Sequence, residues 1–156
     1  MAKGTEIIVS AEPRGRFLEG TISGTPKPGT VMEISAVATD GTKTFRVYQP
    51  GTDGEQRPIF VLLPDRLQGR LHTTAYANGE RGFLYCPVPG EELNMLVANL
   101  AGTTDDHSVG EVLMVNTGDG LLVATTGTPE SEPFILLEAI TDPTEDTLAW
   151  CLYTGY

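Results

Sequence analysis

Tyr85-Cys86-Pro87-Val88-Pro89-Gly90-Glu91-Glu92-Leu93 opens a stretch, running to Val123, whose reading decides the fold. An apolar run to Leu100 follows, then the polar loop Gly102-Thr103-Thr104-Asp105-Asp106-His107-Ser108. Next come Gly110-Glu111-Val112-Leu113-Met114-Val115, the turn Asn116-Thr117-Gly118-Asp119-Gly120 and a second run Leu121-Leu122-Val123. Apolar runs of about four to eight residues between Gly, Pro and Asp punctuation read as buried or half-buried strands. Asp119-Gly120 supplies the positive φ angles of a tight hairpin, because glycine has no Cβ to clash. The leading glutamates would also suit a helix N-terminus over Glu91 to Leu100. Leu93, Met95 and Val97 alternate, however, and the strand reading is adopted.

The same punctuation extends outward through the chain. Phe17 to Ile22, Val31 to Val37, Thr44 to Tyr48, Ile59 to Leu63 and Gly82 to Cys86 read as strands before the opening stretch. Pro133 to Ile140 and Thr147 to Tyr153 follow it. Thr39-Asp40-Gly41-Thr42 is the strongest hairpin signal, read as a two-residue Asp-Gly loop. Pro64 to Gly69 allows one helical turn, with Gly69 ending it. About nine or ten short strands without a long helical pattern predict a mainly β protein with little helix. At 156 residues with 40% apolar content, the expectation is a single compact β-barrel or sandwich-like domain of antiparallel strands over 17–156. Pro13-Arg14-Gly15-Arg16 breaks any regular element, so 1–16 reads as an N-terminal arm. One echo stands out: Pro26-Lys27-Pro28-Gly29 and Pro87-Val88-Pro89-Gly90 each feed an apolar strand. It reads as one turn chemistry used twice rather than as a repeat.

Charge is the most informative bulk property. The net charge is −11, and every Lys and Arg lies between Lys3 and Arg81. There ten bases meet nine acids, whereas Gly82 to Tyr156 holds twelve acids and no base. An acidic half repels nucleic acid and anionic lipid, and no apolar window is long enough for a membrane span. The first residues lack the apolar stretch of a secretory signal, which argues against export by that route.

Reaction chemistry finds little support. Asp105-Asp106-His107-Ser108 is the only cluster resembling a site, but consecutive residues in a polar loop read as a solvated turn. Asp53-Gly54-Glu55 and Asp142 to Asp146 lack the spacing of a calcium loop. Cys86 and Cys151 belong to no Cys-x-x-Cys pair and read as buried free thiols. Trp150 reads as core. No phosphate-binding, dinucleotide or nucleophile-elbow motif is present. The expectation is a non-enzyme with no cofactor and no metal.

An ordered series of turns and strands carries a resemblance. It runs through Ala75-Tyr76-x-x-Gly79-Glu80, Pro87-x-Pro89-Gly90-Glu91-Glu92-Leu93, Gly110-Glu111-Val112-Leu113 and Gly118-Asp119-Gly120-Leu121. It continues with Phe134-Ile135-Leu136-Leu137-Glu138-Ala139 and ends in Asp146-Thr147-Leu148-Ala149-Trp150. This series resembles the head decoration, or cement, proteins of tailed bacteriophages. The resemblance covers the second half of the chain and implies a structural protein of the virion, on the capsid exterior. It implies binding to the major capsid protein of an expanded shell, bridging of neighbouring subunits, and a homotrimer, without nucleic acid or membrane. The arm suits such a role as a capsid-binding segment. Ile7, Ile8 and Val9 would add as a strand to an exposed edge, while Arg14 and Arg16 would pair with acidic capsid groups. A receptor- or glycan-binding β-module of a phage tail or surface adhesin shares these features and is the alternative.

Overall fold

The computed structural model describes residues 6–10, 12–49, 58–69, 71–99, 106–116, 118–125, 133–141 and 145–155. Among these residues ten strands follow one another: β1 (Arg16–Ile22), β2 (Val31–Val37), β3 (Lys43–Val47), β4 (Phe60–Leu63), β5 (Arg81–Cys86), β6 (Glu92–Val97), β7 (Val112–Val115), β8 (Leu122–Ala124), β9 (Phe134–Leu136) and β10 (Thr147–Tyr153). No α-helix occurs among the described residues, and a single 3-10 turn spans Arg66–Gln68. The strand reading of the Glu92 segment holds. Its burial is nearly continuous along both faces, which blurs the alternation that separates strand from helix.

The expected single compact domain is two closed barrels, each of five strands. One unit comprises Gly15–Pro87 with the tetrapeptide Thr117–Gly120. The other comprises Met1–Arg14, Val88–Asn116 and Leu121–Tyr156. Closure removes most of the sheet edge that a five-stranded open sheet would expose, so each half-length segment can bury a core of its own. The sheets are also mixed rather than antiparallel, since β1 pairs with β3 in parallel and β6 with β8 in parallel.

In the first barrel the circuit is β1-β3-β2-β4-β5, closed by β5 against β1. Its core is Ile22, Met32, Phe45, Phe60, Leu62, Tyr76 and Leu84, with Leu18, Val47 and Cys86 packed against it. Phe45 and Phe60 meet edge to face at 5.2 Å, and the Tyr76 hydroxyl donates to the Leu63 carbonyl at 2.8 Å. The hairpin between β2 and β3 differs from the expected two-residue loop. Gly41 N–H donates to Ala38 O, Ala38 N–H donates to Thr42 O, and Gly41 has φ 86°. That is a three-residue loop whose glycine takes the left-handed position.

In the second barrel the circuit is β10-β6-β8-β7-β9, around Leu93, Met95, Val97, Leu113, Leu122, Phe134, Leu136, Ala149 and Cys151, all buried. Substituting β6 to β10 for β1 to β5 in order reproduces every pairing and every direction of the first barrel. The registers equate Ile22 with Val97, Met32 with Leu113, Phe45 with Leu122, Phe60 with Phe134, Leu62 with Leu136 and Leu84 with Cys151. Loop hydrogen bonds repeat as well. Gly29 N–H donates to Leu62 O, and Gly110 N–H donates to Leu136 O, each at 2.8 Å. Both glycines have positive φ, 89° and 87°. The chain is a topological tandem repeat. The Pro-x-Pro-Gly echo is not its trace, because Pro28-Gly29 precedes β2 whereas Pro89-Gly90 precedes β6, which is the counterpart of β1.

Candidate interaction surface

The arm residues Glu6 to Ser10 are built into the second barrel. Ile8 bridges Leu93 in antiparallel fashion. Asn94 N–H donates to Ile7 O at 2.7 Å, and Val9 N–H donates to Glu92 O at 3.0 Å. The Asn94 side-chain amide donates to Glu6 O, and the Ser10 hydroxyl accepts from Glu92 N–H. Ile7 is 2% exposed. These groups lie along β6 where β8 has diverged, since β6 meets β8 only at Val97. Ile7, Ile8 and Val9 thus make their strand addition to the chain's own barrel. Lys3 and Ala11 fall outside the described residues. Arg14 and Arg16 are exposed, and Arg14 N–H donates to the Glu91 carboxylate, which also accepts from Val88 N–H.

Exposed large apolar side chains concentrate in the first barrel unit. Phe17 (64%), Val37 (61%), Leu67 (87%) and Leu71 (64%) are open to solvent, against Val109 alone in the second unit among the described residues. The Phe17 ring tilts against Tyr85 at 5.0 Å, and Arg81 pairs with Glu19 beside it. Charge divides along the same line. The first unit holds eight Lys and Arg against eight Asp and Glu, the second two against thirteen. Sequence reading found the charge asymmetry but missed the apolar residues. Their exposure depends on which strand face turns outward, and a run such as Phe17-Leu18 does not reveal that.

Of the residues weighed for chemistry, Asp105 and Asp142 to Thr144 fall outside the described residues, while His107 and Asp146 have hydrogen-bond partners within the fold. His107 exchanges backbone hydrogen bonds with Ile140, and its Nδ1 lies 2.9 Å from the Glu111 carboxylate. Asp146 accepts from Asn99 N–H at 3.0 Å, while Asp53 to Glu55 fall outside the described residues. Among the described residues no group of three His, Cys, Asp or Glu side chains is gathered to hold a metal. Both cysteines are free. Burial, reinforced by the negative charge of Glu138, pushes the Cys151 thiol well above its ordinary range. Trp150 is half-buried rather than core, and its indole N–H donates to Glu92 at 3.0 Å. Buried Glu33 pairs with Arg46 at 2.7 Å, an ion pair that ties β2 to β3.

No family model and no curated protein matches the chain. Among solved structures, the fold is similar to that of the N base of head fiber gp8.5 of bacteriophage phi29, with a TM-score of 0.55 and 13% identity. The match covers 90% of this chain and 94% of the other. What is similar at that identity is the fold, over nearly the whole of both chains.

Proposed function

We propose that the chain is a structural protein carried on the outside of a tailed-phage head. The observation that carries this reading is the end-to-end fold likeness to a head-fiber base. The likeness spans both barrels rather than one common module, so it is more specific than a shared small barrel. In this reading the chain binds the major capsid protein of the expanded shell and bridges neighbouring subunits as a homotrimer. The first barrel unit makes the contact, because it is near-neutral and bears the exposed Phe17, Val37, Leu67 and Leu71. Apolar residues gathered on one unit are what an interaction surface requires. The strongly acidic second unit keeps the bound particle soluble and repels its neighbours.

Such a protein acts by linkage: it binds the assembled shell and not its separated subunits, and so deepens the assembled state. Many modest contacts then sum over the particle. The test is quantitative mass spectrometry of purified particles of the source virus, together with their heat release of DNA. A copy number comparable to that of the shell protein, and earlier DNA release from particles lacking the chain, are expected. A few copies per particle would move the protein to the tail, and absence from particles would end the reading.

A further inference from the structure

The tandem repeat makes each barrel a template for the other, and one difference between them is functional in kind. In the second barrel, the β6 groups Asn94 N–H and Glu92 C=O face away from β10 and are taken up by the arm. By register, their counterparts in the first barrel are Glu19 N–H and Phe17 C=O on β1. The alternation of an antiparallel strand points these away from β5, as Ile22, three residues beyond Glu19, confirms by bonding Glu80 and Gly79 on the β5 side. β3 reaches β1 only at Thr21 and Ile22. Among the described residues, no backbone group occupies the place beside Phe17 to Glu19 that the arm fills beside Glu92 to Asn94. The side chains agree. Leu93 is fully buried under the arm, whereas its counterpart Leu18 is only partly covered, and Phe17 is 64% exposed.

We propose that β1 is a strand-acceptor edge, and that residues Phe17 to Glu19 take an extended segment of a partner protein in antiparallel pairing. The arm in the second barrel shows what that occupant looks like. It carries an apolar residue opposite Leu18, as Ile8 lies opposite Leu93. Its carbonyl one residue before accepts from Glu19 N–H, and its N–H one residue after donates to Phe17 C=O. Beyond its C-terminal end it meets the exposed Arg16, so an acidic residue there completes the match. Main-chain bonds supply the affinity and the Leu18 position the selectivity. The chain's own arm is not the occupant, because Ile7 and Ile8 are committed to the second barrel. The inference rests on the internal comparison and stands whether or not the partner is a shell protein.

The test uses the full chain, isotope-labelled, titrated with a synthetic peptide of residues 3–12 as a model strand. A second peptide carries Val9→Pro, which removes the donor to Phe17 without touching the folded protein. Amide shifts centred on Phe17 to Glu19 are expected, with a dissociation constant of about a millimolar or tighter, weakened at least tenfold by the proline. Shifts confined to Leu93 and Asn94 would mean exchange with the arm and would overturn the proposal, as would no shift at about 5 mM peptide. Concentration-dependent shifts of Phe17 to Glu19 without peptide, with dimer in sedimentation, would assign the edge to a second copy and overturn the partner assignment. The variant Glu19→Pro, checked for an unchanged melting temperature, should lose peptide binding in the same way.

Discussion

Replacing Ile7 by Ala tests whether the arm is a structural strand or a free tether. The Ile7 side chain is 2% exposed, and its carbonyl accepts from Asn94 N–H across the β6 edge. Removing its outer carbons from a site that cannot collapse fully costs about 2–4 kcal/mol, transfer and cavity together. The unit concerned holds about 80 residues, for which roughly 4–8 °C of melting temperature accompany each kcal/mol. A drop of about 8–30 °C is therefore expected for the transition of that unit, read by calorimetry. Amide exchange of Asn94 should quicken in parallel, since the backbone bond to Ile7 opens with the arm. The matched variant Ile8→Ala loses less, because Ile8 is only half-buried. A melting temperature within about 2 °C of the parent, with Asn94 exchange unchanged, would show that the arm does not pack on β6 and would refute the reasoning.

Gly120→Ala should destabilise the first unit by about 2–4 kcal/mol. Gly120 has φ 69°, and a Cβ there would come within 2.6 Å of Val31 O and 2.8 Å of Val47. Gly118→Ala, at φ 108° with nothing within 4 Å, should cost only the backbone term of about 1–2 kcal/mol, and denaturant titration separates the two. Cys151 binds its proton more tightly folded than unfolded. Its contribution is thus fully present below the unfolded thiol value of about 8.5 and falls by about 1.4 kcal/mol per pH unit above it. Cys151→Ala should flatten that alkaline slope, and native Cys151 should resist alkylation at pH 8 while half-buried Cys86 reacts. Phe17→Ser should change stability by no more than about 1.5 kcal/mol, the worth of its contact with Tyr85, yet lower the occupancy of particles in a binding assay.

The strands were legible because their signals are local. Val31 to Val37 and Thr147 to Tyr153 announce themselves by β-branched and aromatic content between turn residues, and their bounds match the structure closely. The repeat was only faintly legible, because many of its equivalences preserve burial and not identity: Leu84 answers to Cys151, and Phe45 to Leu122. A barrel core accepts any apolar side chain of suitable volume, so the two halves could diverge until the clearest remnants are Phe60-Val61-Leu62-Leu63 against Phe134-Ile135-Leu136-Leu137 and Gly29-Thr30-Val31-Met32 against Gly110-Glu111-Val112-Leu113. Those two short stretches were the available signal, whereas the Pro-x-Pro-Gly echo lies outside the repeat register. For the arm, the β-prone Glu6-Ile7-Ile8-Val9 was visible, but its partner at Leu93 lies more than eighty residues away. Strand pairing over that distance leaves no mark in local sequence.

The interleaving of the two units also sets a timetable for synthesis. Residues 6–10 leave the ribosome long before Glu92 to Asn94, the strand they will cover. The first barrel has all five strands once Cys86 has emerged, yet Val31 N–H still awaits Gly120 O. At synthesis rates of about 5–20 residues per second, the arm spends several seconds as a nascent apolar strand without its edge. During that interval Ile7 to Val9 are exposed to chaperones and to the arms of neighbouring nascent chains on the same message. Pairing so distant along the chain closes slowly, and because β10 pairs with β6 the maturation of this protein is paced by translation through Tyr153.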